Sequence, residues 1–309
     1  MMRKLVSSIK KITIRMRLAL RLFLANDPLR LAGATAFFTT FALPFILIIL
    51  AQLLRVFFDR HQINQQLFDN LSSIIGLESA QQLRITVRGF RGLGINWMAI
   101  AGGSVFMLFV STTLFRVIKD SCNQIWMIRQ KPRQGFAIAM GSRFRSLLVI
   151  IFTGILFVSG MLIESSQVFL GEAINHLLPG SGMFLKRLIS TIVSLSIGVG
   201  WFAVVFRYIP DGRPQWRVAL AGAVVTSILF NAAKLVLRLL LVESNLDTIF
   251  GKSGAIVLLL LFVFYTAMLL YYGAAFTRVW ANSTGRPIQP LPHATIYRYA
   301  DLPVMQKGE

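Results

Sequence analysis

Six separate apolar runs, each about 20 residues long or longer, constrain this chain more than any other feature. They cover roughly residues 31–54, 97–117, 147–169, 188–206, 218–241 and 255–280. A helix rises about 1.5 Å per residue, so about 20 apolar residues cross the roughly 30 Å hydrocarbon core of a bilayer. Charged residues make up only 14% of the chain, whereas soluble domains contain about a quarter. The sequence therefore predicts an all-α polytopic membrane protein with six transmembrane helices.

The distribution of basic residues predicts the orientation of these helices. The chain has 32 Lys and Arg against 12 Asp and Glu, a formal net charge of +20. About 21 of the 32 lie in the N-terminal segment, the loops 118–146 and 207–217, and the C-terminal end, whereas the other three loops hold about 8. Basic residues concentrate on the cytoplasmic side, so both termini are predicted to be cytoplasmic. Topology and anionic lipids account for the positive charge, and no nucleic-acid partner is expected.

Residues 1–30 form a basic amphipathic segment that is too charged to span a bilayer. Apolar residues alternate there with cations at helical spacing, which predicts a helix lying in the membrane interface against acidic lipids. The predicted contacts to lipid headgroups are Lys10, Lys11, Arg15, Arg17 and Arg21. The alternative is a solvated basic helix that only orients the chain.

The remaining chain divides into a six-helix transmembrane domain, residues 31–281, and a C-terminal tail, residues 282–309. The tail is polar and contains several prolines, so it is predicted to be a disordered cytoplasmic segment. The first outside loop, about residues 55–96, is predicted to be partly helical because apolar residues recur there at helical spacing. These residues are Ile63, Leu67, Leu71 and Ile74.

A polar stripe on the fifth predicted helix is the best functional clue in the sequence. Its members follow positions i, i+4, i+7 and i+11, which places them on one helix face. They are Ser227, Asn231, Lys234 and Arg238. Charged groups within a span usually face a bundle interior, a wet cavity or a partner, because hydrocarbon does not solvate them. We therefore take this stripe as the candidate polar site.

Glu164 is the only acidic residue within any of the six apolar runs. With both termini cytoplasmic, Glu164 and Lys234 lie at similar depths, in the outer half of the bilayer. Pairing offsets part of the cost of burying two charges, so Glu164 is predicted to approach Lys234 or Arg238. The alternatives are an ion pair that only fixes helix packing, or cations that extend towards the outer interface.

Five short motifs follow one another along the chain: AGATAFFTTFALPFILII in the first span, Asn123–Trp126, Arg207–Asp211, Gly251–Gly254 and Gly273–Phe276. Together they resemble the YihY / virulence factor BrkB family of bacterial inner-membrane proteins. The resemblance covers about residues 31–281 and implies a six-helix, multi-pass protein of the inner membrane. Family members often have an acid after Gly-Ala in the last motif, where this chain has Ala275, so no role is carried over to that position.

No enzyme is expected, although members of the family that this chain resembles have sometimes been labelled ribonucleases. Phosphodiester hydrolysis commonly needs clustered carboxylates for metals or a pair of histidines. Here the acids are scattered, and His61, His176 and His293 lie in separate segments. The sequence has no Walker loop, no CxxC or HExxH spacing and no GxSxG elbow. We assign no catalytic residue, metal or cofactor.

Three functions are open on the sequence alone. The first is a transporter or lipid-handling protein for an anionic solute or lipid headgroup, which the cationic stripe would bind. The second is a structural or partner-binding membrane protein whose stripe packs the bundle. The third, a nuclease, is disfavoured for the reasons above.

Overall fold

The computed structural model describes residues 2–54, 72, 80–85, 97–131, 182–243 and 254–297. Within several helical stretches, residues 235–243 among them, it describes the backbone alone. The described helices are α1 (Met2–Leu24), α2 (Pro28–Leu54), α3 (Trp97–Trp126), α4 (Gly182–Tyr208), α5 (Trp216–Glu243) and α6 (Gly254–Ser283). Residues 80–85 are also helical.

The fold agrees with the predicted class, an all-helical membrane protein. The apolar runs predicted at 31–54, 97–117, 188–206, 218–241 and 255–280 all lie within helices α2 to α6. In the described part of the chain, Trp216–Lys234 and Ile256–Ser283 are long and apolar enough to cross a membrane. A shorter apolar stretch covers Leu195–Tyr208. The predicted span 147–169 lies outside the described residues, so the count of six stays a prediction.

Helix α6 packs against α1, α2, α3 and α5. Its contact with α5 is a close crossing of two Gly-x-x-x-Thr pairs, Gly222 with Thr226 and Gly273 with Thr277. A Cβ built at Gly222 would overlap Oγ1 of Thr277, and one at Gly273 would overlap Oγ1 of Thr226. Both threonine hydroxyls donate to the carbonyl of the glycine one turn earlier, at 2.8 and 2.7 Å. Small residues thus let the two backbones approach closely.

Helix α1 packs along the last turns of α6. The ring of Phe23 meets Tyr272 edge-on at 5.9 Å between centroids, and the hydroxyl of Tyr272 donates to the carbonyl of Met16 at 3.3 Å. Near the end of α6, the guanidinium of Arg15 lies 4.4 Å from the ring centroid of Trp280. The predicted N-terminal amphipathic helix is therefore attached to the bundle by one of its faces.

The prediction of a disordered tail from residue 282 requires a correction. Helix α6 continues to Ser283, and two short antiparallel pairings follow it. Strand β1 (Ile128–Gln130) pairs with β4 (Ala294–Ile296), and β2 (Gly212–Arg213) pairs with β3 (Gln289–Pro290). Composition suggested disorder, but Ile288 and Ala294 are buried in the core and the backbone is paired. Residues 298–309 lie outside the described part.

The partly helical first loop is described only in part. Residues 80–85 are helical, and Ala80 and Leu83 are buried there. The four apolar positions on which the prediction rested, Ile63, Leu67, Leu71 and Ile74, lie outside the described residues.

Candidate functional site

The ends of several helices meet at one end of the bundle. The indole Nε1 of Trp126, the last residue of α3, donates to the carbonyl of Ala274 on α6 at 2.9 Å. Arg278 of α6 donates from Nη1 to the carbonyl of Ile125 at 2.7 Å. The turn between α4 and α5 reaches the same place, since β2 in that turn pairs with β3 beyond α6. These contacts bring together chain segments that are far apart in the sequence.

A buried carboxylate, Asp211, lies at the centre of this end. It belongs to the turn between α4 and α5, and it is only 1% exposed. Its Oδ1 lies 3.0 Å from Nζ of Lys119 and 3.0 Å from Nε2 of His293. Its Oδ2 accepts hydrogen bonds from Nδ2 of Asn123 at 2.8 Å and from Nε2 of Gln130 at 2.9 Å. We call these five residues the Asp211 cluster.

The backbone of Asp211 is bonded as well as its side chain. Its N–H donates to Oδ1 of Asn123 at 2.8 Å, so the Asn123 side chain pairs with both the amide and the carboxylate. Its carbonyl accepts from the N–H of Leu291 at 2.8 Å. Because buried polar groups cost free energy unless they are bonded, this full set of partners allows the residue to be buried.

The environment of Asp211 favours its charged form. Burial by itself would disfavour the carboxylate, but hydrogen bonds from His293 and Gln130 and the charge of Lys119 outweigh it, so the pKa lies below its usual range. The neighbouring Asp120 behaves in the opposite way. Desolvation by burial raises the pKa of Asp120, despite the opposing charges of Lys119 and Arg116. The two neighbouring carboxyl groups therefore differ, because partners offset the burial of Asp211 and do not offset that of Asp120.

The geometry of the Asp211 cluster suits a joint between segments better than a reactive centre. Both carboxylate oxygens are occupied by donors from the same chain, which leaves little room for a substrate atom. Within the described ranges, no three His, Cys, Asp or Glu side chains are grouped so that they could hold a metal ion. The cluster links α3, β1, the α4–α5 turn and the segment beyond α6.

The predicted stripe on α5 begins at the contact of this helix with α4. Ser227 is buried, and its hydroxyl donates to the carbonyl of Leu195 on α4 at 3.1 Å. A Cβ built at Gly198 would lie 2.5 Å from that hydroxyl, so the two helices are close here. Asn231, one turn further on, is half-buried and donates from Nδ2 to the carbonyl of Ser227 at 2.9 Å.

The two charged members of the stripe, Lys234 and Arg238, lie further along α5. Lys234 is half-buried, and its Nζ lies 5.2 Å from the ring centroid of Phe230. Arg238 lies on α5, where the backbone alone is described. Glu164 lies outside the described residues, so the approach of Glu164 to Lys234 or Arg238 stays a prediction.

The predicted lipid contacts on α1 fall into two groups. Arg15 is half-buried against Trp280, and its charge is already engaged by that ring. Lys10, Lys11, Arg17 and Arg21 are exposed. Exposed large apolar side chains lie among them, including Ile14 at 49% and Leu18 at 47%. This half-apolar, half-cationic surface is of the kind that membrane interfaces bind.

Sequence reasoning assigned no role to Asp211 or to its partners. Asn123 and Asp211 belong to two of the motifs that carry the family resemblance. One signal was available, because Asp211 is the only acid in the turn 207–217, which has three arginines, in a chain with only 12 acids. The partners themselves were not predictable, since they come from three other segments.

Comparisons with known proteins agree with this architecture. A family model described as "Virulence factor BrkB" matches residues 19–295. A protein named UPF0761 membrane protein from Pseudomonas aeruginosa strain LESB58 is 26% identical over 175 residues, which cover 56% of this chain and 40% of that protein. One from Pseudomonas paraeruginosa is 26% identical over 196 residues, covering 60% and 45%, respectively. One from Alteromonas mediterranea is 24% identical over 176 residues, covering 57% of each chain.

The chain therefore matches about half of the length of these curated relatives. No solved structure matches it significantly.

Proposed function

The chain belongs to the virulence factor BrkB family of membrane proteins, and we propose that it transports or otherwise handles an anionic solute or lipid headgroup. The positive charge of Lys234 on helix α5 carries this proposal. A cation within a membrane span is unfavourable because hydrocarbon does not solvate it, so such residues usually serve a function. The proposal contains no chemical step and assigns no catalytic residue or cofactor.

The position of Lys234 along α5 supports contact with an anionic group. Lys234 lies sixteen residues after the start of the predicted apolar run 218–241, which continues beyond it. At 1.5 Å per residue it lies about 24 Å from the start of that run, in the far half of a hydrocarbon core roughly 30 Å thick. A phosphate headgroup or a carboxylate can reach this depth from the interface. The half-buried amide of Asn231, one turn earlier, offers a neutral polar group beside it.

The proposed topology is a multi-pass protein of the bacterial inner membrane with both termini cytoplasmic. It is supported by the distribution of basic residues. It is also supported by the meeting of the ends of α3 and α6 with the α4–α5 turn, because six spans would bring all three to the cytoplasmic side. On this topology Lys234 lies towards the outer leaflet, and the Asp211 cluster lies in the cytoplasm.

Native mass spectrometry of the detergent-extracted protein tests the proposal. Wild type is compared with Lys234→Met, which keeps the length of the side chain without its charge, and with Lys234→Arg, which keeps the charge. A Lys234→Ala, Arg238→Ala double variant removes both cations. We expect wild type and Lys234→Arg to retain an anionic lipid or solute that the other two lose. If all four proteins carry the same ligands in the same amounts, the stripe is not the binding site.

A second function, as a structural or partner-binding membrane protein, is favoured by Ser227. Its hydroxyl is buried against α4 and donates to Leu195, so this part of the stripe packs two helices together. On that alternative the cations further along the stripe also serve assembly. Charge reversal by Lys234→Glu separates the two functions. Under the first, the protein folds and loses its anionic ligand, and under the second, assembly or expression collapses.

We further propose that the exposed cations of α1 bind anionic lipids at the cytoplasmic surface. Contacts with Tyr272 and Trp280 attach α1 to the last turns of α6, and aromatic residues of this kind are typical of membrane interfaces. The attachment therefore supports a position of α1 at headgroup depth. Arg17 and Arg21 lie four residues apart on its exposed face and form the core of this surface.

A further inference from the structure

The segment after α6 folds back over the end of the bundle as an extended strap, residues 286–297. Gly285 adopts a left-handed conformation with φ of 66°, and the N–H of Arg286 donates to the carbonyl of Ala281 at 2.9 Å. A glycine in this conformation commonly terminates a helix and redirects the chain. The C-terminal strap then contributes β3 and β4 to the two short sheets.

Backbone hydrogen bonds join the strap to the segment after α3 and to the turn between α4 and α5. The N–H of Lys131 donates to the carbonyl of His293 at 3.0 Å, and the N–H of Tyr297 donates to the carbonyl of Met127 at 3.0 Å. On the other side, the N–H of Leu291 donates to the carbonyl of Asp211 at 2.8 Å. The strap thus bridges the end of α3 and the turn between α4 and α5.

His293 is the side chain that fastens the strap to the buried cluster. Its Nε2 lies 3.0 Å from Oδ1 of Asp211, and its side chain is only 14% exposed. Lys119 approaches the same oxygen from α3, so one carboxylate oxygen receives groups from two separate elements. Nearby, Nζ of Lys131 donates to the carbonyl of Pro292 at 3.0 Å.

We propose that the C-terminal strap is a releasable clamp on the ends of α3, α4 and α5, with the contact between His293 and Asp211 as its lock. Its strands contain only two or three residues, and strands this short have little stability of their own. Besides the backbone hydrogen bonds and the buried residues Ile288 and Ala294, the side chain of His293 attaches the strap to the buried carboxylate of Asp211. The close crossing of α5 and α6 is different, because Gly222 and Gly273 pack there against Thr277 and Thr226, and the nearest atoms to these glycines belong to no strap residue.

Release of the clamp would free helix ends to move relative to one another. Transporters open and close by such movements of helices around a central site. This consequence rests on the proposed function, whereas the clamp itself does not. The lock lies just before the first residue of α5 and Lys234 lies in the second half of that helix, so opening and binding would involve two separate parts of it.

Hydrogen exchange of the full-length protein in lipid nanodiscs, followed by mass spectrometry, tests the clamp. The variants are His293→Ala and His293→Gln, and the matched control is Gln289→Ala, an exposed residue of the same strap. We expect His293→Ala to speed exchange at residues 288–297 at least tenfold. His293→Gln should have a smaller effect, because its amide can still donate, and Gln289→Ala should match wild type. Exchange at residues 222–226, in the α5–α6 crossing, should not change.

Two results would overturn the clamp. In the first, the strap of His293→Ala exchanges within twofold of wild type. In the second, exchange rises equally at residues 222–226, which indicates general loss of the fold instead of local release. If His293→Ala does not fold, His293→Leu, which keeps a bulky side chain but cannot hydrogen-bond to Asp211, is judged by the same criteria. The measurement uses no ligand, so its failure and the failure of the proposed anion site are separate results.

Discussion

The Nζ atom of Lys119 lies 3.0 Å from Oδ1 of Asp211, and the side chains are only 11% and 2% exposed. The pair joins α3 to the turn between α4 and α5. A buried ion pair is stable only when further hydrogen bonds satisfy the charges, and Asn123 and Gln130 supply them here. This end of the bundle is therefore held by polar contacts as well as by apolar packing.

Asp211→Asn should strongly destabilise the protein. The substitution removes the negative charge and leaves the Lys119 ammonium buried without its counter-charge, a change that typically costs about 3 to 5 kcal/mol. Thermal unfolding in detergent measures the effect. Asp27→Asn is the matched control, since Asp27 pairs with Arg30 at 3.7 Å with both side chains largely exposed. Exposed pairs contribute about 0 to 1 kcal/mol, so an equal loss in both variants would contradict this account.

Stability should depend on Asp211 at low pH. Its pKa is lower in the folded protein than in the unfolded chain, because the hydrogen bonds and the charge of Lys119 outweigh burial. Its contribution is therefore present above the unfolded pKa, about 3.9, and is lost as pH falls through the folded value. Unfolding temperatures measured between neutral pH and about pH 3 should fall less steeply for Asp211→Asn than for wild type. If the unfolding temperatures of wild type and Asp211→Asn fall in parallel as the pH is lowered, the pKa of Asp211 is not lowered by folding.

Gly222→Ala should weaken the crossing of α5 and α6. The added Cβ would overlap Oγ1 of Thr277, and overpacking of this kind costs about 1 to 3 kcal/mol. Gly33→Ala, in helix α2, is the control, because a Cβ there has nothing within 4 Å. Thermal unfolding should show a loss for Gly222→Ala and no loss for Gly33→Ala. Adding Thr277→Ala to Gly222→Ala should restore part of the lost unfolding temperature. If it restores none, the contact between residues 222 and 277 is not the cause of the loss.

The cations of α1 should separate into two roles. Arg17→Gln with Arg21→Gln should reduce the anionic lipid that co-purifies with the protein and leave its unfolding temperature nearly unchanged, because both residues are exposed. Arg15→Gln should instead lower the unfolding temperature, since the Arg15 guanidinium packs on Trp280. Lipid phosphorus per protein and thermal unfolding measure the two effects. The division fails if Arg15→Gln loses lipid and the double variant does not.

The helices were predictable from the sequence because each apolar run must be long enough to cross the hydrocarbon core of the bilayer. The runs within α2 to α6 needed no knowledge of their neighbours, as a single hydropathy window of about 20 residues contains the signal. The strap was missed because β3 and β4 are two and three residues long, too short for a periodic pattern. Its order depends on partners at Gly212 and Ile128, far away in the sequence.

The two candidate sites, the stripe on α5 and the Asp211 cluster, also differ in how far the sequence alone predicts them. The stripe on α5 was visible because its members share one helix, so their spacing alone placed them on one face. Its packing against α4 through Ser227 and Gly198 depends on a neighbouring helix and had to come from the structure. The Asp211 cluster combines residues from four segments, and no local pattern links Lys119 to His293.

We propose that the stripe on α5 that contains Asn231 and Lys234 binds an anionic molecule in the membrane. Photo-crosslinking in intact cells tests it most directly, with a photoreactive amino acid replacing Asn231 or, as the control, the exposed Ala232. Neighbouring positions on a helix lie at almost the same depth but about 100° apart around its axis. The captured molecules are identified by mass spectrometry, with Lys234 intact and with Lys234→Met. We predict that position 231 captures an anionic species that disappears in Lys234→Met, while position 232 captures bulk lipid. Identical capture at both positions, unaffected by Lys234→Met, would contradict the account.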